Sequence, residues 1–507
     1  MYINTRKVIT MLITTFMATS TVLGQLAGTL DLDFGNDGTV LSAPGSPREG
    51  ADVLYFPDNT ILTISSVNIT GFTEAIEFAK YDIDGNLDLS WGTNGLYQPD
   101  IPNGGVLWAE QAEFALAENG FYVSGGIWVN SMNYFIAKFK TDGTLDETFG
   151  GGDGYTIPTF DGLGDYGYGM TVQPDGKILI TGQTYTPLEG FNFGFARFNT
   201  DGSLDNSFGT NGVVSLDYNN EGNHAYRVKV NATNGKIYTA GWTGLDYAMV
   251  VAMNSDGTLD NTFGVGGFAV FSDIEINSFA LEIQSDGKLV VVGGEDATVF
   301  RLDENGVLDV SFGTNGIAYL PVPPGKDFSA VRKVILQPDG KILAGGYTGV
   351  TSGWVDVSYL TRLNIDGSLD NTFGENGVGY ALVDLGSEKI LINNIRIQPD
   401  GKILTMGVNV NITSNNAILN RFLPDNNGVS IAEIDNKKMN IFPNPVIDIL
   451  SISAESDIRK VKIYSLSGKL VQTELTNYFS VEKLSSGVYL IEVHIAGDIL
   501  STKFTKE

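Results

Sequence analysis

Arg362-Leu363-Asn364-Ile365-Asp366-Gly367-Ser368-Leu369-Asp370-Asn371-Thr372-Phe373-Gly374 decides the fold, because its phrase Leu-Asp-x-x-Phe/Trp-Gly is one of seven. The others begin at Leu30, Leu87, Leu145, Leu204, Leu259 and Leu308, and the successive spacings are 57, 58, 59, 55, 49 and 61 residues. A second phrase, Gln337-Pro338-Asp339-Gly340-Lys341-Ile342-Leu343, returns intact at Gln173 and Gln398 and worn at Gln284, Thr233, Glu118 and Pro57. Two interleaved markers of one period describe one structural unit used seven times.

The unit running from Phe312 to Gly367 contains four strand signals. Ile317 to Pro321 is a short apolar run leaving a Gly-rich turn, Val331 to Leu336 alternates, Pro338-Asp339-Gly340 turns into Lys341 to Ala344, and Ser358 to Leu363 is the fourth. Asp-Gly at 339 to 340 supplies the positive φ of a tight hairpin turn, and the same dipeptide at 366 to 367 ends the fourth strand. A sheet of four short strands cannot bury both faces alone and must stack on copies of itself. The chain is therefore read as all-β, a seven-bladed β-propeller followed by a small C-terminal β-sandwich. Phe34, Trp91, Phe149, Phe208, Phe263, Phe312 and Phe373 give each unit one large apolar anchor, expected between neighbouring sheets. The chain enters the repeats at Gly28-Thr29-Leu30-Asp31, the tail of a unit, and leaves at Arg421-Phe422-Leu423-Pro424-Asp425, where the next tail would begin. First and last pieces add to one unit, so the ring is expected to close.

Composition narrows the partners. The 507 residues carry 31 Lys and Arg against 59 Asp and Glu, a net charge of -28 that repels phosphate backbones, so nucleic acid is not an expected partner. Arg6 and Lys7, the apolar stretch Val8 to Phe16 and small residues before Gln25 read as a secretory signal peptide over 1–24; no segment has transmembrane length. With no Cys in an exported chain, stability must come from core burial. The domain reading is 25–430 for the propeller, 431–437 for a linker and 438–507 for the last module.

Lys80, Lys138, Arg197, Arg301, Arg362 and Arg421 occupy one repeat position, broken only by Ala252. In so acidic a chain, that column implies structural ion pairs with the Leu-Asp carboxylates: Arg197 with Asp205, Arg301 with Asp309, Arg362 with Asp370, and Arg421 with Asp31 if the ring closes.

Signals for chemistry are sparse. Only His224 and His494 exist, so an imidazole-built zinc site has no ligands and any Ser-His-Asp arrangement would depend on His224, read as a surface loop residue after Glu221-Gly222-Asn223. Asp82, Asp84, Asn86 and Asp88 have calcium-loop spacing but lack the closing Glu of an EF-hand; turn chemistry accounts for them, and bound calcium is the functional alternative. No motif calls for another cofactor. Aromatics after the third strand, Trp128, Tyr185, Trp242, Tyr347 and Trp354, fall at equivalent places in separate units and would share one rim, suited either to stacking on sugars or to loop packing.

After the repeats come Phe442-Pro443-Asn444-Pro445, Val461-Lys462-Ile463-Tyr464, Ser467-Gly468-Lys469, Leu484-Ser485-Ser486-Gly487-Val488-Tyr489 and Lys503-Phe504. These ordered motifs resemble the type A C-terminal sorting domain of the type IX secretion system of Bacteroidetes. The resemblance implies the secretion machinery as a partner, passage across the outer membrane, removal of the domain, and release or surface attachment of the rest. The repeats resemble the delta-60 repeats of secreted bacterial propellers, which imply no common activity. The expected function is non-enzymatic binding or adhesion at the cell surface, to polysaccharide or a surface partner. The alternative is a carboxylate-dependent glycan hydrolase or lyase at the propeller channel.

Overall fold

The computed structural model describes residues 27–425 and 439–506, except 43–47, 71–72, 102–105, 161–163, 188, 221, 276–279, 294–296, 352–355, 387–388, 411–414, 443–445, 455–457, 466–469 and 496–497. The expected signal peptide and linker, and Trp354, lie outside the described residues. The chain divides into two compact units at Asp425 and Asn426.

Seven four-stranded antiparallel sheets make up the first unit. Blades I to VII begin with inner strands Arg48–Tyr55, Val106–Ala117, Asp165–Val172, Asn223–Val230, Ala280–Ile283, Phe328–Leu336 and Lys389–Ile397. Each inner strand contacts that of the next blade, and the seventh contacts the first, which makes the ring closed. Closure is done by the N-terminal strand Thr39–Leu41, which pairs with Asn415–Phe422 as the outermost strand of blade VII.

This closure corrects the strand phase read from sequence. Ile317–Tyr319 pairs with Thr298–Leu302 and so ends blade V, while blade VI runs from Phe328–Leu336 through Ile342–Gly349 and Val357–Leu363 to Tyr380–Val383. The sequence unit leads the blade by one strand. A repeat cut between its hairpins has the same period wherever the cut falls, and only hydrogen-bond partners decide which strand is first.

The anchors of the Leu-Asp phrase are buried between blades, from Phe34, Phe208, Phe263, Phe312 and Phe373 at 0% exposure to Trp91 at 7%. Each ring faces a positive-φ glycine turn of its neighbour, an Asp-Gly turn in five cases, Asn305-Gly306 for Phe263 and Ala27-Gly28 for Phe373. Gly367 has φ +84, and a Cβ there would stand 2.8 Å from the Phe312 ring, so this glycine serves both the turn and the packing.

Above the ring, the two sequence markers meet. Lys177 and Arg197 both reach Asp205, at 2.8 and 2.7 Å; Lys288 and Arg301 reach Asp309, both at 2.9 Å; Lys341 and Arg362 reach Asp370, at 3.0 and 2.7 Å; Lys402 and Arg421 reach Asp31, at 3.0 and 2.7 Å. The same guanidinium groups lie over the anchor rings, 4.3 to 4.7 Å from the centroids of Phe34, Phe208, Phe312 and Phe373. They also donate to the next blade, Arg301 to the Ile365 carbonyl at 2.6 Å, Arg197 to Ser255 and Arg421 to Ile83. One side chain thus ties a strand, a turn, an aromatic ring and a neighbouring sheet.

Blades lacking the Arg compensate. In blade IV, Ala252 leaves Asp260 to Lys236 at 2.6 Å, and the cross-strand neighbour Tyr238 covers Phe263 at 5.7 Å. In blade II, Lys138 reaches Asp146 at 3.0 Å and Tyr122 covers Phe149 at 5.7 Å. Blade I has the loosest version, Lys80 to Asp88 at 3.9 Å.

The second unit packs a three-stranded sheet and a four-stranded sheet around Val446, Leu450, Ile452, Val461, Ile463, Ile491, Val493 and Phe504.

Candidate functional site

Six of the seven inner strands shift register at one place, the gaps falling at Gly50/Asp52, Trp108/Glu113, Gly167/Gly169, Ala225/Arg227, Val331/Lys333 and Ile392/Asn394. A bulge re-aims the residue that follows it. Those residues, with Ala280 of blade V, form one ring about the propeller axis, and the ring is chemically uneven: Asp52, Glu113, Gly169, Arg227, Ala280, Lys333 and Asn394.

The charges meet across the axis. Glu113 Oε1 accepts from Lys333 Nζ at 3.1 Å and lies 3.0 Å from Arg227 Nε, while Oε2 accepts the Met170 amide at 2.6 Å. Asp52 accepts from the amides of Val53 and Phe114 at 2.7 and 2.8 Å and from Arg396 Nη2 at 2.7 Å. One layer further along the axis, Lys229 meets Glu282 at 2.6 Å. Burial alone would push the Glu113 carboxyl up, but the charges of Arg227 and Lys333 outweigh it and hold it at about 2. Burial raises Asp52 and brings Lys333 down to about 8.

This network floors a cup of about 440 Å³ whose walls include Leu54, Leu116, Val172, Leu281, Val334 and Ile397. These wall residues, Leu281 of the short strand in blade V apart, come from the C-terminal halves of the inner strands, so the cup opens at the end of the ring where the Pro-Asp-Gly turns lie. The size suits a small organic molecule. Each of the three carboxylates at the axis is engaged by a cation.

At the opposite ends of the same strands, aromatic groups run across blades III and IV. Tyr185 meets Phe191 at 5.1 Å, Phe191 meets His224 at 5.5 Å, and His224 stacks on Trp242 at 4.1 Å with 2° between planes. Trp242 Nε1 donates to the Tyr226 hydroxyl at 3.3 Å, and Tyr226 lies 5.3 Å from Tyr168. Tyr185, Phe191, His224, Tyr226 and Trp242 are each half-buried. His224 is therefore a strand residue of an aromatic array, which corrects its reading as a loop residue. Burial, opposed by the Asp246 charge, lowers its pKa to about 4 and keeps the ring neutral near pH 7.

Among the described residues, the structure brings together Tyr185 and Trp242 of the rim aromatics. Trp128 lies in blade II, 53% exposed. Tyr347 lies between cations, 5.5 Å from Arg332 and 5.1 Å from Lys389. The calcium-loop residues serve their own turn: Asp82 Oδ1 accepts the amides of Asp84 and Asn86 at 3.0 and 2.9 Å, and Asp88 Oδ1 accepts from Ser90 Oγ at 2.6 Å. Among the described residues, no three acidic or histidine side chains converge as a metal site would need.

Sequence reasoning missed the axial charges because no residue type repeats at that position. The signal was present in register: the ring residue stands four positions before Gln173, Gln284, Gln337 and Gln398, and before Phe56, Ala117 and Asn231, which open the worn copies of that turn.

Comparison with known families gives two matches. Residues 440–507 match the model of the secretion system C-terminal sorting domain, and 173–208, 284–312 and 337–373 match the beta-propeller domain of unknown function DUF5122. No curated protein matches the chain. Among solved structures, similar chains include the periplasmic gluconolactonase PpgL of Pseudomonas aeruginosa, at 10% identity and TM-score 0.39, covering 75% of this chain and 100% of that one. Raptor of Chaetomium thermophilum is 9% identical with TM-score 0.39; the match covers 74% of this chain and only 29% of Raptor's length. The extracellular domain of the putative hybrid two component system BT3049 of B. thetaiotaomicron is 10% identical with TM-score 0.27, covering 90% of this chain and 68% of that one.

Proposed function

We propose that this protein, a repeat β-propeller exported by the type IX secretion system through its C-terminal sorting domain, is a polysaccharide-binding module of the cell surface or the secreted fraction. A leader over residues 1–24 takes it across the inner membrane, and the sorting domain addresses it onward.

The observation that carries the binding reading is the aromatic array from Tyr185 to Trp242. Faces of aromatic rings bind the C–H faces of sugars, and an array spanning two blades offers several such surfaces in one line. The rings are braced against one another, so little side-chain freedom is lost on binding. A neutral His224 keeps the patch free of charge at neutral pH.

A glycan array probed with the full chain tests this, with reducing-sugar release measured in parallel. Retention of neutral polysaccharides, reduced about fivefold or more by Trp242→Ala as expected for loss of about 1–3 kcal/mol of stacking, supports the reading. Retention unchanged in Trp242→Ala, or no retention of any glycan, ends it.

A further inference from the structure

We infer that the axial cup is a second binding site, independent of the aromatic face, and that it takes an organic monocarboxylate such as a sugar acid. The argument starts from charge. The cup and its floor hold four cations, Arg227, Lys229, Lys333 and Arg396, against three carboxylates, Asp52, Glu113 and Glu282. Four minus three leaves one positive charge, in a chain whose net charge is -28.

The excess has an address. Asp52 is matched with Arg396 and Glu282 with Lys229, while the single carboxylate of Glu113 holds both Arg227 and Lys333. Lys333 is 4% exposed, and its ammonium, with three donors, has Glu113 as its hydrogen-bond partner. Burying a cation without a full set of acceptors is costly, so the floor offers donors that an incoming oxyanion would satisfy. Arg396, with 30% of its side chain open, supplies a second donor group on the cup wall. One carboxylate brings the floor to neutrality, whereas a dianion would overshoot it. The apolar walls from Leu54, Leu116, Leu281 and Val334 favour an organic body behind the carboxylate over a small inorganic anion.

The site differs from the periodic ion pairs of the blades, where Arg362, for example, meets Asp370 on one side and Asp425 on the other. There the cations are saturated. At the axis, among the described residues, Lys333 Nζ donates to Glu113 and Arg227 Nε has no partner in hydrogen-bond geometry, while Arg396 donates through Nε and Nη2 to Asp52 and to the Val53 and Phe114 carbonyls and keeps Nη1 to offer.

Calorimetric titration of the full chain with glucuronate, galacturonate and lactate, each against its neutral counterpart (glucose, galactose, propane-1,2-diol), tests the inference. At least one acid should bind tenfold or more tightly than its counterpart. Its affinity should fall as pH rises through about 8, where Lys333 loses its proton. Lys333→Met leaves three cations against three carboxylates, so it should retain its melting temperature within a few degrees and lose the preference for the acid. If no acid outbinds its neutral counterpart, or if a folded Lys333→Met keeps the preference, the inference is overturned. Retention of the aromatic-face glycan by Lys333→Met separates this result from the polysaccharide reading.

Discussion

The turn girdle and the axis of the ring are built from the same seven repeats, yet they use charge in opposite ways. In the girdle every Leu-Asp carboxylate meets a cation of its own blade, and where Arg is missing a Lys stands in, joined by a covering Tyr in blades II and IV. At the axis the seven equivalent positions hold two acids, two bases and three uncharged residues, and the pairs form across the ring, as Glu113 of blade II does with Lys333 of blade VI. Periodic contacts hold neighbouring sheets together, and each needs only its own repeat and the next. The contacts of Glu113 join blade II to blades IV and VI, which are not its neighbours, so one chemically distinct residue suffices and repetition would be harmful: seven like charges in one ring would repel.

Breaking the girdle where it also closes the ring should have the largest effect. Arg421 is 1% exposed and links Asp31, the Phe34 ring and the Ile83 carbonyl, so Arg421→Ala leaves Asp31 buried beside Lys402 alone. We expect a loss of about 3–5 kcal/mol by urea unfolding, against under about 1 kcal/mol for Lys80→Ala, whose pair is longer and more exposed. Equal losses would mean that closure gives this pair no special weight.

Next comes the test of compensation in blade IV. Ala252→Arg should destabilise by about 1–3 kcal/mol, because Ala252 is fully buried and Tyr238 already covers Phe263. Adding Tyr238→Leu, the residue type opposite Arg362 and Arg421, should recover most of that loss. Additive penalties in the double variant would show that the Tyr and the Arg do not exchange for one another.

A pH series compares the two regions directly. Asp146 and Asp370 in the girdle are held at about 2, as is Glu113 at the axis, against values near 4 when unfolded. A depressed carboxyl contributes stability that is complete above its unfolded pKa and disappears as pH falls through the folded one. The contribution of these carboxyls should therefore be complete above about pH 4 and be lost between about 4 and 2, below the window of about 6.5 to 4 in which His224 and Asp165 act in opposite directions. In a His224→Gln, Asp165→Asn background, a decline in melting temperature that begins near neutrality would contradict both sets of pairs.

The smallest effect concerns a carboxyl with the opposite shift. Asp165 is 2% exposed, its Oδ1 has no hydrogen-bond partner, and burial raises its pKa to about 6, with the Tyr185 amide and Thr184 opposing. It binds its proton more tightly folded than unfolded, so it weakens the fold as pH rises from about 4 to 6. Asp165→Asn should raise the melting temperature by a few degrees at pH 8 and leave it unchanged at pH 4, as differential scanning calorimetry would read.

How much was legible follows from the same contrast. Periodicity exposed the blades, the anchor rings and the column of Arg and Lys, because whatever joins each sheet to the next must recur in the text. The strand phase was not legible, since Ile317–Tyr319 looks like the start of one unit as readily as the end of another. His224 was misplaced because its partners are not chain neighbours: Trp242 lies opposite it on the next strand and Phe191 comes from the adjacent blade.

By itself, then, the order of residues determined the number of sheets, the turns between them, the girdle and the export module, all of which depend on contacts that recur or on motifs contiguous in the chain. Tertiary structure alone decided that Glu113, Arg227 and Lys333, separated by more than a hundred residues from end to end and unlike one another, share a single floor. The reason is geometric: closing the ring turns one position per repeat into a circle around an axis, and only on that circle do their charges have to be counted together.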